Sequence, residues 1–146
     1  MIQKFPPVRQ GTIRLQGNPL DVAPAWDRVR AGLRVLPSDR FIFPTLSGKE
    51  VMKLSSDNGR SAGAATETFT VEPPGLLDRK YASLSGGERR QIALAGFRGG
   101  VLGVCDELFD ALDRETTRRA VEYLSVAMGT LLIAASHGDR NRDELA

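Results

Sequence analysis

A chain of 146 residues is long enough for one domain with one core. Hydrophobic residues make up 41% and charged residues 26%, the balance of an ordinary soluble globular protein, and a net charge of +2 is too small to argue for a nucleic-acid or anionic-membrane partner. The single cysteine, Cys105, excludes an internal disulfide framework and suits a reducing cytoplasm. No apolar run approaches membrane-spanning length and no signal-peptide h-region opens the chain, so any membrane role is expected to come through a partner.

The chain starts with an extended piece around Phe5-Pro6-Pro7-Val8. From Ile13 apolar and polar residues alternate, then Gly17-Asn18 marks a turn, which predicts a short strand and a turn. Residues 24–31 predict a helix with Pro24 in its first turn and Gly32 as its stop. Leu33 to Leu36 predict a short strand ended by Pro37. The aromatic run Phe41-Ile42-Phe43-Pro44 follows, a hydrophobic loop that Phe41 and Phe43 would anchor in a core. Residues 48–54 predict a short amphipathic helix. Residues 55–68 are rich in Ser, Gly and Ala without periodicity and predict a mobile loop. Residues 69–71 are expected to be extended, and 75–81 to form a brief helix after Pro73-Pro74.

The next stretch is more informative. Ser85 is placed to cap a helix, and Glu88 three positions on completes a capping box. Gly86 and Gly87 carry no side chains, so a ligand can approach the backbone closely. The free N–H groups of such a first turn, with the helix dipole behind them, suit a phosphate. The helix should run to about Arg98, with Ile92, Ala93, Gly96 and Phe97 on one stripe, and stop at Gly99-Gly100. Residues 101–105 read as a buried-type strand, apolar apart from Gly103, with Cys105 as a small core residue. Asp106-Glu107 ends it. Residues 114–128 predict a helix with Ala120, Leu124 and Ala127 toward the core, ended by Gly129. Residues 130–135 predict a second buried strand, which Ser136-His137 follows. Strand, helix, strand at this spacing predicts a parallel pair. Residues 142–146 could begin a last helix.

Taken singly, these features are ordinary: a capped surface helix, a solvated turn, a lone histidine. Their order and pacing together resemble the ATP-binding-cassette (ABC) ATPases. Leu84-Ser85-Gly86-Gly87-Glu88 matches the signature motif, residues 101–107 the Walker B strand, Asp110-Ala111-Leu112-Asp113 the D-loop, and His137 the switch histidine. The run Ile42-Phe43-Pro44-Thr45-Leu46 is similar to the branched-chain amino acid uptake subgroup, where this region also meets the membrane subunit. The resemblance implies an α/β fold: a partial P-loop NTPase domain with a small, mainly parallel sheet, flanking helices and a helical subdomain over about 48–83. It implies ATP and Mg²⁺ as cofactors. Ser85, Gly86, Gly87, Glu88 and Asp113 would contact nucleotide, Asp106 would hold Mg²⁺ through water, Glu107 would polarise the attacking water, and His137 would contact the γ-phosphate. The implied partners are a second ABC subunit or a second copy, and a membrane transporter subunit, at the cytoplasmic side of the membrane. A DNA-repair cassette of the structural-maintenance class also uses Ser-Gly-Gly-Glu, but no heptad-bearing arm interrupts this chain.

The sequence departs from the pattern at its front. No Gly-x-x-x-x-Gly-Lys-Ser/Thr run occurs, and Gly48-Lys49 is followed by Glu50. Ser38 replaces the Q-loop glutamine, Leu108 the usual proline after Glu107, and Gly138 the usual acid after His137. The expectation is therefore the second part of a cassette, able to offer signature, Walker B, D-loop and switch elements but not Walker A. The alternative is a non-catalytic remnant acting as a partner-binding or regulatory module. In either case three contiguous parallel strands are expected around Val35, Val104 and Ile133. They would leave an open apolar edge along residues 131–135 that another chain covers.

Overall fold

A computed structural model describes residues 10–36, 38, 43–56, 69–127 and 131–135. It begins with a hairpin, β1 (Arg14–Leu15) against antiparallel β2 (Asn18–Pro19). Its turn is Gln16-Gly17, not the expected Gly17-Asn18. Both central residues have positive φ, 49° and 84°, the left-handed pair a two-residue hairpin turn requires, and this leaves Asn18 to pair with Leu15. Helix α1 (Ala25–Arg30) follows with Pro24 at its N-cap, then strand β3 (Leu33–Leu36). Helix α2 (Gly48–Ser56) starts at a capping box of its own. Ser47 Oγ accepts from the Glu50 N–H at 3.3 Å, and Glu50 Oε2 accepts from the Ser47 N–H at 2.8 Å. Residues 75–81 were expected to form one brief helix. Two short 3₁₀ turns are found instead, Leu76–Asp78 and Tyr81–Ser83, with extended backbone at Arg79 and Lys80 between them. That break allows Arg79 and Tyr81 to hydrogen-bond with Gly48 and Leu46.

Helix α3 (Gly86–Gly96) ends two residues before the expected Arg98, at an extended Phe97. Strand β4 (Leu102–Asp106) lies one residue on from the expected 101–105 and includes Asp106 as its last residue. Helix α4 (Arg114–Ala127) and strand β5 (Leu131–Ala135) complete the described chain. The expected loop beyond Ser56, the Pro37 strand stop, Phe41, the Gly129 helix stop, Ser136-His137 and the last helix lie outside the described residues.

The three strands β3, β4 and β5 form one parallel sheet in that order. Val35 aligns with Val104 and Val104 with Ile133, the row anticipated from the sequence. Successive residues of a strand face opposite sides. On one side Leu36 and Cys105, with Leu132 and Ala134 against them, pack on the ends of α3 (Leu94, Ala95) and the inner face of α4 (Ala120, Tyr123, Leu124, Ala127). The other side is a correction to the expected burial. Val35 is 57% and Ile133 52% exposed, because among the described residues the helices cover only one face. A second core, Val51, Leu76, Tyr81, Leu84 and Ile92, joins α2, the 3₁₀ turns and α3. Helix α3 thus stands between two cores, with Leu94 in one and Ile92 in the other. The expected stripe of Ile92, Ala93, Gly96 and Phe97 covers only part of its buried surface. Helices α2 and α3 approach closely at Gly96: a Cβ there would stand 2.6 Å from the Ser55 Cβ and 2.9 Å from the Met52 carbonyl oxygen.

Candidate functional site

The site is built around the start of α3. Ser85 is its N-cap, with extended backbone and a complete capping box. Ser85 Oγ accepts from the Glu88 N–H at 3.3 Å and Glu88 Oε2 from the Ser85 N–H at 2.7 Å. Glu88 also takes an ion pair from Arg79 at 3.0 Å, and Arg79 donates to the Ser83 carbonyl. The Ser85 N–H holds the Glu88 carboxyl below its ordinary range. A carboxylate so engaged fixes the shape of the turn. The N–H groups of Gly86 and Gly87 belong to the helix start, where no intrahelical acceptor exists.

The end of β4 meets α3 one turn further along, at Arg90. Asp106 is exposed and Glu107 half-buried, while the next two residues, Leu108 and Phe109, plunge into the core. The chain makes that reversal at Glu107, whose φ of 50° lies in the left-handed region that non-glycine residues seldom enter. The loop that follows reaches back to α3. A Cβ on Gly87 would stand 2.6 Å from the Ala111 carbonyl oxygen, whereas one on Gly86 would meet only the Ala111 Cβ at 3.7 Å. The need for glycine at 87 is thus internal close approach; only Gly86 leaves room for a ligand. Asp113 caps α4: its Oδ1 accepts from the Thr116 N–H and its Oδ2 from the Thr116 hydroxyl, both at 2.8 Å. These bonds hold its carboxyl below the ordinary range, the Thr116 N–H most strongly.

The fold therefore sets Gly86 and Gly87 against Ala111 of the 110–113 loop, and ties the same helix to Asp106 and Glu107 one turn further along, through Arg90. His137 lies outside the described residues. A donor set of one exposed aspartate and a neighbouring glutamate suits Mg²⁺, which typically takes one or two carboxylates and completes its shell with water and phosphate. The helix start suits a phosphate oxygen at Ser85 and Gly86, although both oxygens of Asp113 are already engaged.

One site residue escaped the sequence reading. Arg90 is 4% exposed, and its Nη2 donates to the main-chain oxygens of Glu107 at 3.1 Å and Asp106 at 3.4 Å. A signal did exist: at helical spacing Arg90 falls on the same face as Ala93, Leu94 and Phe97. Beside it opens a cavity of about 380 Å³, walled by Leu36, Phe43, Leu54, Tyr81 and Arg90 among others. Phe43 was expected in a core. It is 39% exposed at the cavity rim, with its ring tilted against Tyr81 at 6.1 Å between centroids.

The family model for ABC transporters matches residues 1–98. This chain belongs to the ABC transporter family. The ABC chain is 30% identical over 148 residues to the thiamine import ATP-binding protein ThiQ of Jannaschia sp. (strain CCS1), an alignment covering 92% of this chain and 62% of that protein. It is 31% identical over 132 residues to a putative ABC transporter ATP-binding protein of Synechocystis sp., covering 86% and 46%. The chain thus spans about three fifths or less of the length of these two relatives. Among solved structures it is similar to a putative ABC transporter ATP-binding protein from Pyrococcus furiosus, with a TM-score of 0.66 and 18% identity over 90% of this chain and 67% of that one. It is equally similar, at TM-score 0.66 and 15% identity, to an ATP-binding cassette solved as a dimer in a post-hydrolysis state with ADP and Pi. At these identities the likeness speaks for the fold, an α/β ABC ATP-binding domain with a small parallel sheet. No described helix is long and apolar enough to cross a membrane.

Proposed function

We propose that this chain is the part of an ABC ATPase nucleotide-binding domain that completes a composite ATP site. Its single strongest support is the packing of the Gly86-Gly87 helix start on the 110–113 loop, with Arg90 of the same helix bonded to the Asp106 and Glu107 carbonyls. Ser85 and Gly86 donate to phosphate, with Gly87 and Glu88 holding the turn in shape. Asp106 holds Mg²⁺ through water and Glu107 polarises the attacking water. Asp113 acts by ordering the loop that separates Glu107 from α4, and His137 contacts the γ-phosphate. When bound, Mg²⁺-ATP supplies the phosphoryl group and the charge that this arrangement stabilises. No run in this sequence matches the phosphate-cradling loop, so in this reading the loop lies outside these residues.

Residues 48–83 form the helical subdomain in this reading. The cavity beside Phe43 and Tyr81 receives a segment of a membrane transporter subunit, which places the chain at the cytoplasmic face of the membrane. The Ile42-Phe43-Pro44-Thr45-Leu46 run favours branched-chain amino acid uptake as the transport class.

The test is ATP binding and turnover by the chain alone and by the chain mixed with a polypeptide carrying the phosphate-loop front of an ABC domain. Turnover should arise only in the mixture, and Glu107→Gln and Ser85→Ala should each abolish most of it. Turnover by the chain alone that Glu107→Gln removes would show that a residue such as Lys49 holds phosphate and would defeat the composite reading. The missing Gly-x-x-x-x-Gly-Lys-Ser/Thr run also favours a second reading, a non-catalytic module that binds a transporter subunit. It predicts no turnover in either experiment and undiminished subunit binding by the Glu107→Gln variant.

A further inference from the structure

Glu107 carries two demands. Its backbone sits at a φ of 50°, where a non-glycine residue is strained, and its carboxyl has to keep one direction if it is to act on a water. The residue that answers both lies on another element. Arg90, one turn into α3 and 4% exposed, sends its guanidinium to the end of β4 and donates from Nη2 to the Glu107 carbonyl at 3.1 Å and the Asp106 carbonyl at 3.4 Å. The Glu107 carbonyl also accepts from the Asp110 N–H at 3.4 Å, the bond that turns the chain so that Leu108 and Phe109 are buried. A charged donor makes stronger hydrogen bonds than a neutral one, and a buried one that water cannot replace is costly to remove.

We propose that Arg90 is the positioning residue of Glu107: it holds the two carbonyls that flank the reversal and so fixes where the Glu107 carboxyl points. This inference rests on the assignment of Glu107 as the water-polarising residue. It adds a physical tie between that residue and the helix whose first turn is Ser85-Gly86-Gly87. Movement of α3 then moves Glu107 by way of Arg90, so the nucleotide-facing helix start and the carboxylate respond together.

The experiment is peptide-resolved amide hydrogen exchange on the full chain, with Arg90→Met, Arg90→Lys and the double variant Arg90→Met/Glu107→Gly, alongside denaturant midpoints. Met keeps the packing volume and removes the donors. Arg90→Met should speed exchange over residues 107–112 by about tenfold or more relative to the amides of α4, as expected for a lost bond to a charged group. Arg90→Lys should recover part of the protection. Glu107→Gly in the Arg90→Met background should restore most of it, because glycine occupies the left-handed region freely. Uniform acceleration across the molecule, unchanged exchange over 107–112, or no rescue by glycine would each overturn the proposal. If Arg90→Met does not fold, Arg90→Lys with and without Glu107→Gly decides the question in the same way. None of these readouts needs ATP turnover, so a failed ATPase assignment would be recognised separately.

Discussion

Gly86 and Gly87 look equivalent in the sequence and are not equivalent in space. A Cβ at 86 has ordinary room, whereas one at 87 would collide with the Ala111 carbonyl oxygen at 2.6 Å. Alanine improves helix propensity over glycine by up to about 1 kcal/mol. Gly86→Ala should therefore leave stability unchanged or slightly raised, and Gly87→Ala should lower it by about 1–3 kcal/mol as the helix start is pushed off the 110–113 loop. Urea midpoints measure both; equal midpoints would remove the internal reason for Gly87. Cys105 makes a second residue-scale case. It is buried under α4, and burial pushes its thiol up to about 12 against an ordinary 9.0. A thiol neutral in the folded state and ionised in the unfolded one contributes stability below pH 9.0 that is lost as pH rises toward about 12. Thiol alkylation at neutral pH should accordingly proceed only at the rate of global opening; rapid modification of the folded chain would contradict the burial. The sequence revealed Cys105 as a core residue from its apolar neighbours. It did not reveal Arg90, because an Arg-Arg pair after a capping box reads equally well as solvated surface.

Two elements start with the same device. Ser47 with Glu50 caps α2, and Ser85 with Glu88 caps α3. Asp113 caps α4. Removing a cap hydroxyl should cost about 1 kcal/mol, so Ser85→Ala is expected to lower the unfolding midpoint to that extent. The three carboxyls are held below their ordinary values of 4.5, 4.5 and 3.8, in each case first by a backbone N–H, from Ser47, Ser85 and Thr116 respectively. The folded protein thus binds fewer protons than the unfolded one in that window. The stability they give is present above those values and drains away as pH falls through the lowered ones. Between about pH 6 and about pH 3, Glu88→Gln should show a shallower loss of stability than the parent, because glutamine still caps but does not titrate. A steeper loss would sink this account of α3. The Ser85 box and the α4 helix were legible from local spacing alone. The two 3₁₀ turns were not, because their break at Arg79-Lys80 answers to hydrogen bonds with residues 46–48, more than thirty positions away.

At the scale of the molecule, the dominant feature among the described residues is a three-stranded parallel sheet with a core on one face and exposed apolar residues on the other. Val35 at 57% and Ile133 at 52% exposure flank the half-buried Val104 in one row across three strands. Monomeric proteins seldom leave such a patch uncovered. The isolated chain should therefore self-associate in a concentration-dependent way, and Ile133→Lys should reduce that association while changing stability by no more than about 0.5 kcal/mol. Sedimentation velocity over a range of concentrations decides it; a parent chain monomeric throughout would show that the row is too small to drive contact.

Local chemistry is what the sequence by itself determined: which stretches cap, which are apolar enough to become strands, and where a strand ends in an acidic pair. Each of these depends on neighbours within one helical turn or one strand, and the order of these pieces was enough to point to the ABC family before any contact was known. The tertiary structure alone decided which apolar surfaces are covered, why Gly87 cannot be larger, and that Arg90 turns inward to grip the Glu107 backbone. Those outcomes depend on segments distant in sequence: Gly87 meets Ala111, Arg90 meets Glu107, and Val35 lines up with Val104 and Ile133. Burial is a property of what packs against a residue, and a linear pattern records the residue without its cover.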